Sequence, residues 1–492
     1  PPTRTPRDKR NPRRRPRHYL GATPHGGNGK SDSAGGGHAH CGLMCYQGGA
    51  WPKEYHGKLF MGNLHGHRLN VDVLRPKGSG YEADRQPDFL LSHDKWFMPI
   101  TIMGGPDGNV YVSDWYDQQI CHLTQPEKWD RTNGRIFKIS HKSTKPVVGL
   151  DLQKCTDEEL VKYQLHENQW YVRHARRILQ ERHATAINPF AKSKGPDPKP
   201  LDPDLRKQLL EQAELHKLNA LWTLFVTNSV KMNPFMNSTD PQIRAWAWRL
   251  TYDNVQNERP AYPPSIVGFK NDDESPVVRR AMASVAIKSP GNAIDLLPGL
   301  LSHAEDATDH NLLYLYWYAL EPVTDWNTRD ALKLATYGKI PQLVGWAARK
   351  IGMSDKPEAI GSLVRAAGEA KSAEQQVALL QGIQAGLRGK RQFPMPKEWD
   401  TAFPALIKSE NAAVRSQAQA LAVVFGDKNA FLALRKVVAD AKAATAARAA
   451  ALESLIAAKD AELVPILQSL VADPALRGAA IRGLATFDDT KT

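Results

Sequence analysis

The feature that most constrains the fold is a short sequence motif, which we call the recurring mark, that repeats along the chain after residue 155. Each copy has a small polar or acidic residue, then an apolar residue followed directly by arginine, then alanine and leucine at helical spacing. The four copies end at Arg173, Arg244, Arg279 and Arg415. Their separations of 71, 35 and 136 residues are close to two, one and four units of about 35 residues, a length typical of stacked helix pairs. The mark therefore predicts an all-α array over residues 155–492, in which each unit buries its apolar stripe against its neighbours.

One stretch interrupts this helical pattern. Residues 185–205 are rich in proline and are predicted to form a long loop within the array. Asp204, at the end of this loop, is predicted to be the N-cap of the next helix.

Residues 38–145 differ in composition from the helical region, with glycine, aspartate, aromatic and β-branched residues in short runs. This composition is typical of short strands that are separated by turns. The clearest example alternates apolar Leu69, Val71 and Val73 with polar residues, which is the period of a half-buried strand. Strands are predicted at 57–63, 67–74, 109–114 and 134–139.

The strand region has the pattern of β-propeller blades but is too short to form a complete propeller. A turn at 106–108, a strand that ends in Asp114-Trp115, a loop and a further strand together are typical of one propeller blade. A blade takes ~40–50 residues, so residues 38–145 supply roughly two, whereas a propeller closes with about 4–8 blades. The sequence therefore predicts a fragment: a partial β-propeller followed by an α-solenoid. The first residue, Pro1, agrees with that expectation.

The net charge of +13 suggests a nucleic-acid partner, but the charge is concentrated at one end. Residues 1–18 hold eight lysines and arginines against Asp8, which leaves about half of the excess for the rest of the chain. This segment belongs to a polar, glycine-containing lead, residues 1–37, that has little to bury and is predicted to be disordered. A basic arm could contact RNA or an anionic membrane, but a solvated tail is the preferred interpretation. No apolar run approaches the ~20 residues of a transmembrane helix.

The chain has four cysteines, Cys41, Cys45, Cys121 and Cys155. None forms a C-x-x-C or C-x-x-C-H motif, so no covalent haem site is predicted in this chain. The spacing of Cys41 and Cys45 leaves open whether they are free, paired or metal ligands.

A series of motifs in residues 31–140 carries a family resemblance. In chain order they cover residues 35–42, 51–60, 63–68, 71–72, 87–91, 96–97, 105–108, 114–115 and 131–136. In this order the motifs resemble a family of membrane-bound dehydrogenases of planctomycete-type bacteria, whose propeller is similar to that of glucose/sorbosone dehydrogenases. The helical region is similar in arrangement to the HEAT repeats of the same family.

The resemblance implies a six-bladed propeller followed by a HEAT/ARM-like solenoid, and usually a C-terminal cytochrome c-type domain that would bind haem. It also implies a periplasmic or cell-envelope location. Related quinoproteins oxidise sugars or aldehydes with pyrroloquinoline quinone, often with calcium. This chain departs from that pattern because it lacks the upstream blades that hold the general-base histidine, and because it lacks the haem motif.

Two groups of basic residues are candidate cofactor ligands. His38 and His40 lie two residues apart on an extended segment, so both side chains are predicted to face the same side. His65, His67 and Arg68 follow a predicted strand, and the resemblance implies that such a strand end faces the central funnel and the quinone carboxylates. A planar guanidinium suits a bidentate carboxylate contact. The alternative for His38 and His40 is a structural role, in which they form hydrogen bonds within the protein. The alternative for Arg68 is an ion pair, for example with Asp72.

Asp114 and Asp117 are candidate calcium ligands because their carboxylates are grouped after a strand. The preferred interpretation is structural, with Asp114 accepting backbone hydrogen bonds in a turn. In the helices, Trp246, Trp248, Trp317 and Tyr314 are interpreted as core or groove packing. The concave face of such an array commonly binds a protein or a polymer.

Two functions follow as hypotheses. The first is that the parent protein is a sugar or alcohol dehydrogenase that uses pyrroloquinoline quinone and passes electrons to a haem domain, with this fragment inactive alone. The second is a non-catalytic module that binds an envelope protein or a polysaccharide. Nucleic-acid binding through residues 4–17 is the weakest hypothesis.

Overall fold

Antiparallel strands form the first part of the fold and helices the rest, in the predicted order. The computed structural model describes residues 39–117, 130, 132–142, 144–183, 199–215, 218–253, 271–354, 356–389 and 393–487. These residues fall into two units, Pro1–Thr251 and Tyr252–Thr492. The predicted lead, residues 1–37, and most of the predicted loop at 185–205 lie outside the described residues.

The strands all belong to the first unit and form two antiparallel sheets. In the first sheet the order is β1-β2-β3-β4, with β5 paired to β3, and in the second it is β6-β7-β8. The strands are β1 His40–Cys45, β2 Leu59–Asn63, β3 Arg68–Lys77, β4 Gly80–Arg85, β5 Leu90–Leu91, β6 Pro99–Gly104, β7 Val110–Asp114 and β8 Arg135–Ile139.

The four predicted strands are confirmed as β2, β3, β7 and β8, with ends that agree to within three residues. In β3, Leu69 and Val71 are buried against Phe60, as the alternating pattern predicts. Sequence reasoning missed β4, β5 and β6, whose residues give a weaker alternation, and it gave β1 only as an extended segment.

Aromatic stacking and glycine hold the strand region together. Trp51 stacks on Tyr46, with ring centroids 4.6 Å apart, and on Phe89 at 5.0 Å. Gly42 has a φ of +63°, and a Cβ at this position would lie 2.5 Å from the carbonyl oxygen of Ile100. Only glycine permits this approach of β1 to β6.

The helices of the first unit begin at Asp157, close to the predicted boundary of residue 155. They are α1 Asp157–Lys162, α2 Gln169–His183, α3 Pro203–Glu214, α4 Leu218–Val226 and α5 Pro241–Thr251. The predicted N-cap of α3 is wrong by two residues. Asp202, not Asp204, accepts hydrogen bonds from the first backbone N–H groups, because Pro203 occupies the first helical position and fixes the start of the helix there.

Helices make up the second unit throughout its described residues. They are α6 Pro276–Lys288, α7 Pro290–Leu300, α8 Leu312–Trp326, α9 Thr328–Tyr337, α10 Pro341–Gly352, α11 Pro357–Glu369, α12 Ala373–Gly386, α13 Trp399–Ile407, α14 Ala412–Val424, α15 Lys428–Ala439, α16 Thr445–Ala457, α17 Val464–Leu470 and α18 Arg477–Leu484. From α6 to α14, helices commonly pack against both the next helix and the next but one in the chain.

The arginine of the recurring mark has the same local role in three of its four copies. Arg244, Arg279 and Arg415 each donate from Nη1 to the carbonyl oxygens of the residues six and five positions earlier. The arginine thereby ties the turn before its helix to the helix itself. Arg173, at the first mark, instead donates to the side chain of Gln47.

The helical aromatic residues follow the packing interpretation. Trp248 is buried, Trp246 contacts Trp222, and Trp317 contacts Trp346. Tyr314 stacks on Trp346 but is 52% exposed, so it does not belong to the core. Within the described ranges, none of the helices has the length and apolar character to span a bilayer.

Candidate functional site

One face of the first sheet is polar, and it brings together His40 and Arg68 from the two predicted groups. In the register of this sheet His40 lies opposite Asn63, and Asn63 lies opposite Arg68. Residues directly opposite one another in antiparallel strands share a face, and Asn70 follows Arg68 on that face because side chains alternate along a strand. The opposite face, with Leu69 and Val71, belongs to the core.

Two buried amides hold the imidazole of His40. Its Nε2 lies 3.1 Å from Asn70 Oδ1 and 3.2 Å from Asn63 Nδ2, and Asn63 Nδ2 also donates to Asn70 Oδ1 at 2.9 Å. Asn63 and Asn70 are fully buried, whereas His40 is exposed. The two amides therefore present one exposed imidazole in a fixed position, and we call His40, Asn63, Asn70 and Asp88 the His40 cluster.

The directions of both amides are set by their other partners. Asn63 Oδ1 accepts from the backbone N–H of Gly66 at 2.8 Å, which turns Asn63 Nδ2 toward His40. Asn70 Nδ2 donates to Asp88 Oδ1 at 2.7 Å, which turns Asn70 Oδ1 toward His40. His40 Nε2 thus faces one donor and one acceptor, so both neutral tautomers find a partner without movement of the ring.

Asp88 also binds two arginines. Arg68 donates to its Oδ2 at 3.0 Å and Arg85 to its Oδ1 at 2.6 Å, with the side chains of Arg68 and Asp88 15% and 11% exposed. Arg68 Nε donates in addition to the carbonyl of Gly66. The alternative of an ion pair for Arg68 is therefore realised, with Asp88 as the partner.

Asp72 lies at the edge of the polar face. Burial raises the pKa of the Asp72 carboxyl, and Asp84 raises it further, although the positive charge of Arg85 and the neighbouring His40 act in the opposite direction. Asp72 thus adds a half-buried carboxyl to the polar face.

The remaining predicted histidines differ in position. His65 is buried. His67 has a φ of +50°, and its Nδ1 lies 2.8 Å from the carbonyl oxygen of Phe97, so it donates there and anchors the turn between β2 and β3. His38 lies outside the described residues.

The carboxylates of Asp114 and Asp117 contact protein donors. Asp114 Oδ1 accepts from the N–H groups of Met98 and Tyr116, and its Oδ2 accepts from Arg135. Asp117 Oδ2 accepts from the N–H of Asp130 at 3.0 Å. These contacts favour the structural role over the calcium role.

Other ligand groups are dispersed over the described part of the chain. No cluster of three or more histidine, cysteine or acidic side chains able to hold a metal occurs in it. Cys41, Cys45 and Cys155 are free thiols, and burial raises the pKa of each.

Sequence reasoning found His40 and Arg68 but missed Asn63, Asn70 and Asp88. The alternating pattern of β3 contains a usable signal, because a polar Asn70 between Leu69 and Val71 must face away from the core. The contact with Asp88 has no such signal, since Asp88 lies in the loop after β4 and reaches β3 only in the folded sheet.

Comparisons with known proteins add a similarity for the strand region. Residues 8–143 match the model of a family described as a domain of unknown function, DUF7133. None of the curated proteins compared with the chain matches it. The crystal structure of an engineered protein, a Northeast Structural Genomics Consortium target, is 15% identical over 67% of this chain and 95% of its own, with a TM-score of 0.11.

Proposed function

We propose that this protein binds a sugar or polysaccharide outside the cytoplasm, and that His40 contacts a sugar hydroxyl. The observation that carries the proposal is the exposed imidazole fixed by two buried amides and Asp88. A buried polar network is costly unless every member is satisfied, and this one orients a single accessible ring. An imidazole that can present either a lone pair or an N–H group is suited to hydroxyls, which both donate and accept.

The finer fold assignment belongs to the same proposal. The order β1-β2-β3-β4 is the up-and-down arrangement of a propeller blade, and the close approach of β1 to β6 at Gly42 agrees with neighbouring blades that pack face to face. The packing of α6–α14 on next and next-but-one neighbours, together with the repeated arginine contact, supports a HEAT-like solenoid.

The predicted residues fit poorly with the quinone and the calcium that the resemblance implies, because their side chains already contact other protein groups. The quinone carries several carboxylates and needs exposed cations, but Arg68 faces Asp88 and the carbonyl of Gly66. The carboxylate of Asp114 accepts four contacts from Met98, Tyr116 and Arg135. We therefore assign no step to the cofactor.

Sugar binding is tested by calorimetric titration of the full chain with a panel of neutral oligosaccharides. We expect a panel member to bind, and His40→Ala to weaken that affinity by about tenfold, the loss expected for a hydrogen bond of ~1.4 kcal/mol. His141→Ala, at an exposed histidine after β8, is the control and should leave affinity unchanged. Absence of binding across the panel, or equal effects of the two substitutions, would overturn the proposal.

A second candidate is the dehydrogenase, which is favoured by the ordered motifs of residues 31–140. In that case His40 would orient the sugar hydroxyl by a hydrogen bond. The test adds pyrroloquinoline quinone and calcium to the full-length gene product and follows dye reduction with sugars and alcohols. Turnover that His40→Ala abolishes would support the dehydrogenase. Sugar binding without turnover would instead support the non-catalytic binding module.

A further inference from the structure

A row of two tryptophan side chains with an arginine at each end crosses three helices of the first unit. The guanidinium carbon of Arg176, on α2, lies 5.1 Å from the ring centroid of Trp222, on α4. Trp222 meets Trp246, on α5, edge to face at 4.9 Å. The guanidinium carbon of Arg249 lies 5.1 Å from the Trp246 ring. We call these four residues the Arg–Trp row.

Two more arginines of α2 extend the positive charge of the row. Arg173 and Arg177 lie on the exposed side of α2, one turn apart. Arg173 donates to the amide oxygen of Gln47 and Arg176 to that of Asn219, both of which are neutral. Among Arg173, Arg176 and Arg177, only Arg177 forms an ion pair within the described residues, with Glu181.

This arrangement differs from that of other arginines in the same unit. Arg68, Arg135 and, near the C-terminal end of α2, Arg182 each bind an aspartate. Around Arg173 and Arg176, by contrast, like charges act on one another: burial lowers the pKa of Arg176 and Arg173 lowers it further, while burial and Arg177 lower the pKa of His174. Arg173 and Arg176, which are held by neutral amides, are therefore complementary to an anionic ligand.

The geometry of the row indicates the kind of anion. A guanidinium that lies over an indole keeps its N–H groups at the outer edge of its plane, where they match the two oxygens of a carboxylate. Nucleic-acid bases would require open aromatic faces on which to stack, but Arg176 and Arg249 already cover faces of the two indoles. Carboxylates therefore fit the row better than bases.

We propose that the Arg–Trp row, together with Arg173, binds the carboxylates of an acidic polysaccharide of the uronate type. Successive uronate units present carboxylates at regular intervals, and the row presents guanidinium groups on α2 and α5, with the two indoles between them. This site lies on α2, α4 and α5 and uses none of the side chains of the His40 cluster. It goes beyond the proposed function and does not depend on it.

The test measures binding of the full chain to alginate by calorimetry. The double variant Arg173→Gln/Arg176→Gln should weaken the affinity by at least about tenfold, because charge-assisted hydrogen bonds are the strong ones. The matched control is Arg329→Gln/Arg349→Gln, which removes two exposed arginines of α9 and α10 and should change the affinity less than about twofold, since isolated surface charges contribute little. Residues 1–18 are present in every variant, so any contribution of that basic segment cancels.

A charge-preserving variant separates geometry from net charge. Arg173→Lys/Arg176→Lys retains both charges but removes the planar fork, and we expect it to lose a large part of the affinity. Full affinity in this variant, equal losses in the glutamine variant and its control, or no alginate binding would overturn the proposal. Tighter binding of single-stranded DNA than of alginate, lost in the glutamine variant, would overturn it in favour of a nucleic-acid surface.

Discussion

The carboxylate of Asp88 accepts a 2.7 Å hydrogen bond from Asn70 Nδ2, and this contact determines which end of the Asn70 amide faces His40. Asp88 lies in a loop and Asn70 near the start of β3. The exposed imidazole therefore depends on a residue that does not touch it.

Replacing Asp88 by asparagine tests the importance of this carboxylate for stability. The change leaves the guanidinium groups of Arg68 and Arg85 without their shared partner in a largely buried site. We expect Asp88→Asn to lower the free energy of unfolding by about 3 kcal/mol, the usual cost of breaking a buried pair. Urea denaturation measures the change. Asp84→Asn, which removes the exposed partner of Arg75, should cost less than about 1 kcal/mol, and equal costs would contradict the interpretation.

A second carboxylate makes stability depend on pH. Burial of Asp107 raises its pKa, but hydrogen bonds from Lys138, Asn109 and Tyr111 outweigh burial and bring the pKa to about 2. The folded-state pKa is thus below the unfolded value of about 4. Its contribution is therefore present above about pH 4 and is lost as the pH falls toward 2.

This dependence is measured from urea midpoints between pH 5 and pH 2. The stability of Asp107→Asn should fall less steeply over this range than that of the wild type, because the variant has no carboxylate to protonate at this position. Parallel curves for the two proteins would show that Asp107 does not contribute.

The local parts of this fold could be predicted from the sequence, and the long-range contacts could not. The alternation of Leu69 and Val71 identified β3, and the recurring mark placed Arg244, Arg279 and Arg415, whose bonds to backbone carbonyls reach only six residues back. The partner on which Tyr314 packs, Trp346, could not be predicted, because helical spacing shows which residues share a face but not which neighbouring helix contacts them. Asn63 contacts His40 only through strand pairing, and Asp88 contacts Asn70 only through a loop. No local sequence pattern therefore identifies these site residues.

Arg279 and Asp306 form a pair that the mark alone does not reveal. Arg279 donates from Nε and Nη2 to the two carboxylate oxygens of Asp306, and both side chains are buried. Asp306→Ala would leave the guanidinium buried without this partner, and we expect a loss of about 3–5 kcal/mol in the free energy of unfolding.

Arg415→Ala is the comparison for that measurement. Arg415 makes the same two carbonyl contacts as Arg279, and no ion pair of its side chain occurs among the described residues. Its loss should cost only about 1 kcal/mol, the usual net value of such hydrogen bonds. A cost for Arg415→Ala as large as that for Asp306→Ala would mean that the carbonyl contacts, rather than the buried ion pair, dominate.

Helices α10 and α12 approach one another through glycine, which makes Gly382 sensitive to a single methyl group. A Cβ at Gly382 would lie 2.4 Å from the Cβ of Ala348 and 2.8 Å from the carbonyl oxygen of Gly345. Both contacts involve atoms that cannot move without moving the helix, so Gly382→Ala should destabilise the protein by about 1–3 kcal/mol despite the better helix propensity of alanine. Gly291→Ala in α7, where a Cβ meets no atom within 4 Å, should be neutral or stabilising by up to about 1 kcal/mol. Thermal denaturation of the two variants distinguishes the cases, and a stabilising Gly382→Ala would show that α10 and α12 separate more easily than their packing implies.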